Sequence, residues 1–219
     1  MRNHIKKLLY LVVFGWFSVA SAGSYESFFI AIKQDDARTV ADLLARGFDP
    51  NTLDPKGRHG LMLAVQEPSP KVTDVLIRWP KTNVESRSAK DESPLMLAAL
   101  KGDVDLAKKL IERGADVNKT GWTPLHYAAT NAHLDLINLL LENYAYIDAE
   151  SPNKTTPLMM AAMYGSAQAV KLLLEAGADP TLRNQQGLSA IDFANKAGRR
   201  DSAELIAAVR RGQQPRGTW

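Results

Sequence analysis

Residues 121–129 read GWTPLHYAA: a threonine beside a proline, a histidine two places on, then a pair of alanines. Thr123 and Pro124 together mark a helix start. The hydroxyl can accept from an orphan N–H of the first turn, and proline there gives up an N–H that no carbonyl would have received. Small alanines one turn later suit a helix whose backbone lies close to a neighbour. His126 raises the alternative of chemistry, so the surroundings of the stretch have to decide between a site and a scaffold.

Working outward from Ala128, equivalent alanines recur at Ala31, Ala64, Ala98, Ala161 and Ala194, at successive intervals of 33, 34, 30, 33 and 33 residues along the chain. Twelve positions after each stands an aliphatic residue: Leu43, Leu76, Leu110, Leu140, Leu173 and Ile206. A fixed period of this size is the signature of a stacked repeat. Ser93-Pro94 and Thr156-Pro157 repeat the helix start. The first helix ends near Gly102 or Gly165, where a left-handed residue is expected. A second helix follows in DLAKKLIER, DLINLLLEN and AVKLLLEA, with leucines on one stripe, and Gly47, Gly114 and Gly177 stop it. Asn143 is expected to take the left-handed stop where Asn143-Tyr144 replaces that glycine.

With TPLHYAA, LIERGADVN and LLEAGADP in place, the chain resembles the ankyrin-repeat family over about residues 25–211. The resemblance implies an all-α ankyrin-repeat solenoid of about six helix-turn-helix units, the terminal ones acting as caps, with short finger turns or hairpins. The expected organisation is a signal peptide at 1–22, an N-terminal capping repeat at 23–57, a degenerate repeat at 58–90, repeats at 91–120, 121–153 and 154–186, a C-terminal capping repeat at 187–211, and a tail at 212–219. In the degenerate repeat Thr-Pro and both glycines are missing. Pro68 and Pro70 are expected to break its inter-helix turn. The finger between Asn118 and Gly121 is three residues short and should be clipped.

The ends have their own chemistry. A basic MRNHIKK, an apolar run LLYLVVFGWFSV and small residues at Ala20 and Ala22 have the layout of a secretory signal peptide cleaved after Ala22. The run is short for a bilayer span, which takes about 20 residues. Arg2, Lys6 and Lys7 account for the whole formal charge of +3, so the chain after the leader is balanced and nucleic acid is not an expected partner. No cysteine is present, which removes disulfides and thiolate chemistry. Ile191, Ala194, Leu205, Ile206 and Val209 form the apolar stripe of the last unit. Arg199, Arg200, Arg210, Arg211 and Arg216 read as a solvated face.

Catalysis finds little support. A histidine acting as acid or base needs a partner within hydrogen-bond reach, and no such spacing accompanies His126. Phosphate-cradling, HExxH and GxSxG motifs are absent, and Ser189 in GLSAI reads as a helix cap. The resemblance implies that His126 bridges backbone groups of adjacent repeats. Met62, Met96, Met159 and Asp192 occupy its register elsewhere. No catalytic, metal or cofactor residue is expected, and no membrane contact once the leader is removed.

The surface is left to carry function. The resemblance implies a concave face of first helices and fingers, on which this sequence places Glu92, Leu97, Lys101, Trp122, Tyr127, Asn131, Thr155, Met160 and Tyr164, with Leu100, Thr130 and Met163 beside them. Trp, Tyr and Met suit an interface core. The expected function is a non-enzymatic protein-protein interaction module of the bacterial envelope, periplasmic or secreted. Its partner would be another protein, with an envelope or oxidative-stress enzyme as the class the resemblance suggests. The alternative is a secreted effector that binds a host protein.

Overall fold

The computed structural model describes residues 23–213; the expected signal peptide at 1–22 and all but the start of the tail, Trp219 included, lie outside the described residues. The chain divides into two compact units, one ending at Asp91 and the other beginning at Glu92. In the first unit, α1 covers residues 23–33. It is followed by α2 (Ala37–Ala45), α3 (Gly60–Gln66) and α4 (Pro70–Arg78). The second unit holds α5 (Pro94–Lys101), α6 (Val104–Glu112), α7 (Pro124–Thr130), α8 (Leu134–Glu142), α9 (Pro157–Met163), α10 (Ala167–Glu175), α11 (Ala190–Lys196) and α12 (Arg200–Gln213). The fold is all-α. Leu53 and His59 form an isolated antiparallel bridge across the first finger.

Odd-numbered helices of the second unit pack side by side as one row, α5 on α7 on α9 on α11, and α6, α8, α10 and α12 form the other. The repeated alanines explain the close approach. Ala98, Ala128, Ala161 and Ala194 are fully buried, and so are Leu110, Leu140, Leu173 and Ile206 from the second row. In the first unit Ala31, Ala64, Leu43 and Leu76 are buried in the same registers. Each fully buried leucine is worth roughly 1.5–3 kcal/mol over an exposed one, so the leucine stripe carries most of the packing and the alanines set the spacing.

Four of the second helices, α2, α6, α8 and α10, stop by one device, whereas α4 ends on an extended Trp79. The residue after the cap turns left-handed, and the next N–H reaches back to the repeated leucine: Phe48 to Leu43, Ala115 to Leu110, Ala145 to Leu140 and Ala178 to Leu173, at 2.9–3.0 Å. Gly47, Gly114 and Gly177 supply the positive φ. In the remaining copy Tyr144, not Asn143, is left-handed, at φ 64°. Asn143 is instead the cap, and its amide donates to the Leu139 carbonyl at 2.8 Å. Register decides this, because Tyr144 stands where the glycines stand.

Gly165 also departs from expectation. Its φ is not positive, and α9 is capped by Tyr164. Glycine is needed there for space: a Cβ would fall against the Ala129 carbonyl and 2.9 Å from the Ala161 Cα. Gly102 does take the left-handed conformation expected of it, at φ 76°.

Residues 59–85 form a helical pair despite the lost motif. Pro70 does not break the turn but occupies the first turn of α4 after Ser69, where proline is tolerated. Ser69 Oγ donates to the Ile32 carbonyl at 2.6 Å, and the Val72 N–H to Asp35 Oδ1 at 2.9 Å, tying the pair to α1. Other fingers close through reciprocal turns, such as Ser151 N–H to Thr155 O at 3.0 Å and Asn184 N–H to Leu188 O at 3.0 Å. The short finger turns on Gly121, at φ 86°.

In the last unit Ala194 and Ile206 are buried, whereas Ile191, Leu205 and Val209 are only half-buried. Arg199 is not part of a solvated face. Its guanidinium donates to the carbonyls of Met163 (2.9 Å), Tyr164 (3.0 Å) and Gly165 (2.6 Å), closing the C-terminal end of α9.

Candidate functional site: the first-helix face of the second unit

His126 sits on α7 with 1% of its surface exposed. The Thr123 N–H donates to Nδ1 at 3.1 Å, which fixes that nitrogen as the acceptor. The proton therefore rests on Nε2, which donates to the Thr155 carbonyl of the next finger at 2.8 Å. Burial pushes the imidazole pKa down from 6.5 to about 4, against the opposing pull of the Thr155 and Ala149 carbonyls. Both ring nitrogens are thus committed to backbone and the ring is neutral near pH 7, so it has no lone pair or proton to offer a substrate.

The same register is filled differently in other repeats. Met96 Sδ accepts from the Ser93 N–H at 3.4 Å, and Met159 Sδ from the Thr156 N–H at 3.5 Å. Asp192 Oδ2 accepts from both the N–H and the hydroxyl of Ser189, at 2.8 and 2.6 Å, which places Ser189 as a helix cap. Each of these residues holds the start of its helix. His126 alone among them reaches on to the next finger, and Trp122 lies edge-on to its ring at 5.2 Å.

Around this framework the first helices open two connected grooves. One, of about 250 Å³, is lined by Leu100, Trp122, His126, Tyr127, Thr130 and Met160. The other, of about 260 Å³, shares Trp122 and Met160, and adds Met163, Tyr164, Leu188, Phe193 and Lys196 with Asn153, Thr155, Asn184 and Gln186 from the fingers. Tyr164 is 54% and Leu100 38% exposed, while Trp122, Tyr127, Met160 and Met163 are half-buried. A partner's apolar side chain could insert without the aromatic walls having to be ordered first.

The residues expected on this face divide. Trp122, Tyr127, Met160 and Tyr164 come together in the grooves. Leu97 does not take part as a surface residue: it is buried, 6% exposed. Thr155 borders a groove but is itself buried, its N–H held by Ser151 Oγ at 2.9 Å and its carbonyl by His126. Asn131 is exposed and donates to the Leu100 carbonyl at 2.8 Å, so it supports the turn beside the groove. Lys101 is exposed and Glu92 half-buried, and neither lines a groove.

Phe193 and Lys196 went unrecognised in the sequence. The signal was there: Phe193 continues the column Leu97, Tyr127, Met160, and Lys196 the column Leu100, Thr130, Met163. Treating the last unit as a closed cap hid them.

Models of ankyrin repeats match residues 28–119 and 61–151, and a second such model matches 145–194. The chain is 32% identical over 170 residues to the nuclear factor NF-kappa-B p105 subunit of Gallus gallus, covering 74% of this chain and 17% of that protein. It is 39% identical over 138 residues to ankyrin repeat and SAM domain-containing protein 6 of Mus musculus, covering 59% of this chain and 15% of that one. This chain therefore spans less than a fifth of either of these curated relatives. Among solved structures, an ankyrin repeat domain from Acinetobacter baumannii superposes with a TM-score of 0.74 at 24% identity, over 84% of this chain and 97% of that chain. A chain from the complex of a predatory endopeptidase of Bdellovibrio bacteriovorus with an immunity protein gives a TM-score of 0.72 at 27% identity, over 83% of this chain and 97% of that chain.

Proposed function

The chain belongs to the ankyrin-repeat family, and we propose that it is a non-enzymatic binding module of the bacterial envelope that holds a partner protein on the first-helix face of its second unit. Ankyrin repeats are a protein-binding fold. The observation that carries the reading is the pair of connected grooves walled by Trp122, Tyr127, Met160, Met163, Tyr164 and Phe193. Large aromatic and thioether side chains gathered in one partly buried strip are the composition of an interface core. The use of both His126 nitrogens by backbone supports a scaffold in place of a catalyst.

Export is the second part of the proposal and rests on the leader sequence. The relation to a chain from an endopeptidase–immunity protein complex supports an enzyme as the kind of partner held. The test is capture from a periplasmic extract with wild type and with Trp122→Ala/Tyr127→Ala, both checked for an unchanged helical spectrum. A partner lost by the folded double variant supports the reading; a full set of partners retained refutes it. N-terminal sequencing of the protein recovered from the periplasm should begin at Gly23.

A further inference from the structure

The polar side chains in the second groove are one-sided. Asn184 is buried, 6% exposed, and its Oδ1 accepts from the N–H groups of Gln186 and Leu188, each at 3.0 Å. Asn153 Oδ1 likewise accepts from Ser151 Oγ at 2.6 Å and from the Thr155 N–H at 3.3 Å. Backbone N–H groups can only donate, so both carboxamides are fixed with the oxygen toward the finger and the NH2 toward the groove they line. Among the described residues neither amide nitrogen has a protein partner. Lys196, exposed at the end of α11, adds an ammonium that makes no ion pair among the described residues. No aspartate or glutamate lines the groove.

Donors without acceptors, beside an apolar wall, define what fits. A basic segment would meet Lys196 and find no carboxylate, and a wholly apolar one would cover the Asn184 amide, a loss of about 1–3 kcal/mol. We propose that this groove receives an internal segment of the partner protein in which an apolar side chain is flanked by Asp or Glu: the apolar group enters between Met160, Met163 and Phe193, and the carboxylates take the amides of Asn153 and Asn184 and the ammonium of Lys196. The donors come from two fingers and a helix end, not from a single backbone nest, which suits side-chain carboxylates of a passing segment better than a chain terminus. The inference rests on the binding-face reading and names the chemistry of its occupant.

The experiment uses two blocked peptides, one with a phenylalanine flanked by glutamates and one with lysines in their place. Binding is followed by the methyl resonances of Met160 and Met163 at low ionic strength. The glutamate peptide should shift both methyls and bind roughly tenfold or more tightly than the lysine peptide, a difference of about 1.4 kcal/mol. Lys196→Glu, an exposed change, should reverse that preference. Asn184→Asp keeps the oxygen that holds the finger but replaces the donor by negative charge, and should weaken the glutamate peptide by a similar factor. Equal binding of the two peptides, no shift with the glutamate peptide, or wild-type behaviour of Lys196→Glu overturns the proposal. Partner capture separates the two levels. Loss with Trp122→Ala/Tyr127→Ala but not with Lys196→Glu keeps the binding face and rejects the carboxylate; retention by both rejects the face itself.

Discussion

His126 and Thr155 are joined across two repeats: the Nε2–H of one donates to the carbonyl of the other at 2.8 Å. Because the Thr123 N–H occupies Nδ1, the ring cannot be protonated without breaking the start of its own helix. A repeat that uses methionine in this register has no such sensitivity.

The first expectation concerns acid. The folded pKa of His126, about 4, lies below the ordinary value of 6.5, so the unfolded chain takes up the proton first as pH falls. The stabilisation is complete above the ordinary value and is lost on descending toward the folded one, by about 3 kcal/mol in all. Urea midpoints measured at neutral pH and at about pH 4.5 should differ more for wild type than for His126→Met. Equal differences would mean the ring is not held neutral.

Asp148 gives the opposite sign. Both its carboxylate oxygens accept from the Asp179 N–H, at 3.1 and 3.2 Å, in the place where Asn118 Oδ1 accepts from Tyr146. Burial raises its pKa and the nearby Asp179 charge adds to this, against the Asp179 N–H. Folding is therefore penalised as pH rises through the raised value and relieved below it. Asp148→Asn could donate as Asn118 does to the Tyr144 carbonyl. It should stabilise by about 0.5–1.5 kcal/mol at neutral pH, with the gain shrinking in acid, as read from thermal midpoints.

Tyr144 holds a left-handed φ of 64° with 85% of its surface exposed. Little packing offsets the strain, and glycine serves in three other repeats. Tyr144→Gly should raise stability by about 0.5–1 kcal/mol, whereas Gly177→Ala should lower it by about 1 kcal/mol or more. Chemical denaturation decides both. A destabilised Tyr144→Gly would show that the tyrosine makes contacts that outweigh its backbone.

How much of this was legible follows from what each residue depends on. The helix starts at Ser93, Thr123 and Thr156 and the buried rows of alanine and leucine are local or periodic properties, and the sequence carries them openly. The structural role of His126 followed from the family resemblance. Trp122, Tyr127, Met160 and Tyr164 were readable as surface from register and residue type, although Leu97 shares the column of Tyr127 and Met160 and is buried. That burial was not readable, since it depends on tertiary packing that register does not show. The left-handed stop at Tyr144 was missed because residue preference favours asparagine, while the hydrogen bond to Leu140 fixes the position. Arg199 looked like one of several solvated arginines; its three carbonyl partners lie 34–36 residues earlier, which no local pattern reveals.

That arginine gives a further expectation. Arg199→Ala removes three charge-assisted donors from the end of α9 and should cost about 1.5–3 kcal/mol. Arg199→Lys should recover only part of it, because an ammonium cannot spread over three carbonyls as a planar guanidinium does. Full recovery by lysine, measured by urea unfolding, would reduce the role to net charge.

The binding face itself is tested most directly by position-specific photo-crosslinking in periplasmic extract. A benzophenone amino acid placed at Tyr164, which is exposed on the groove side, is compared with one at Asn138, which is exposed on α8 of the opposite row. Crosslinks to a distinct protein from position 164 and none from 138 are expected. Crosslinks from 138 alone, or the same products from both positions, would contradict a partner held on the first-helix face.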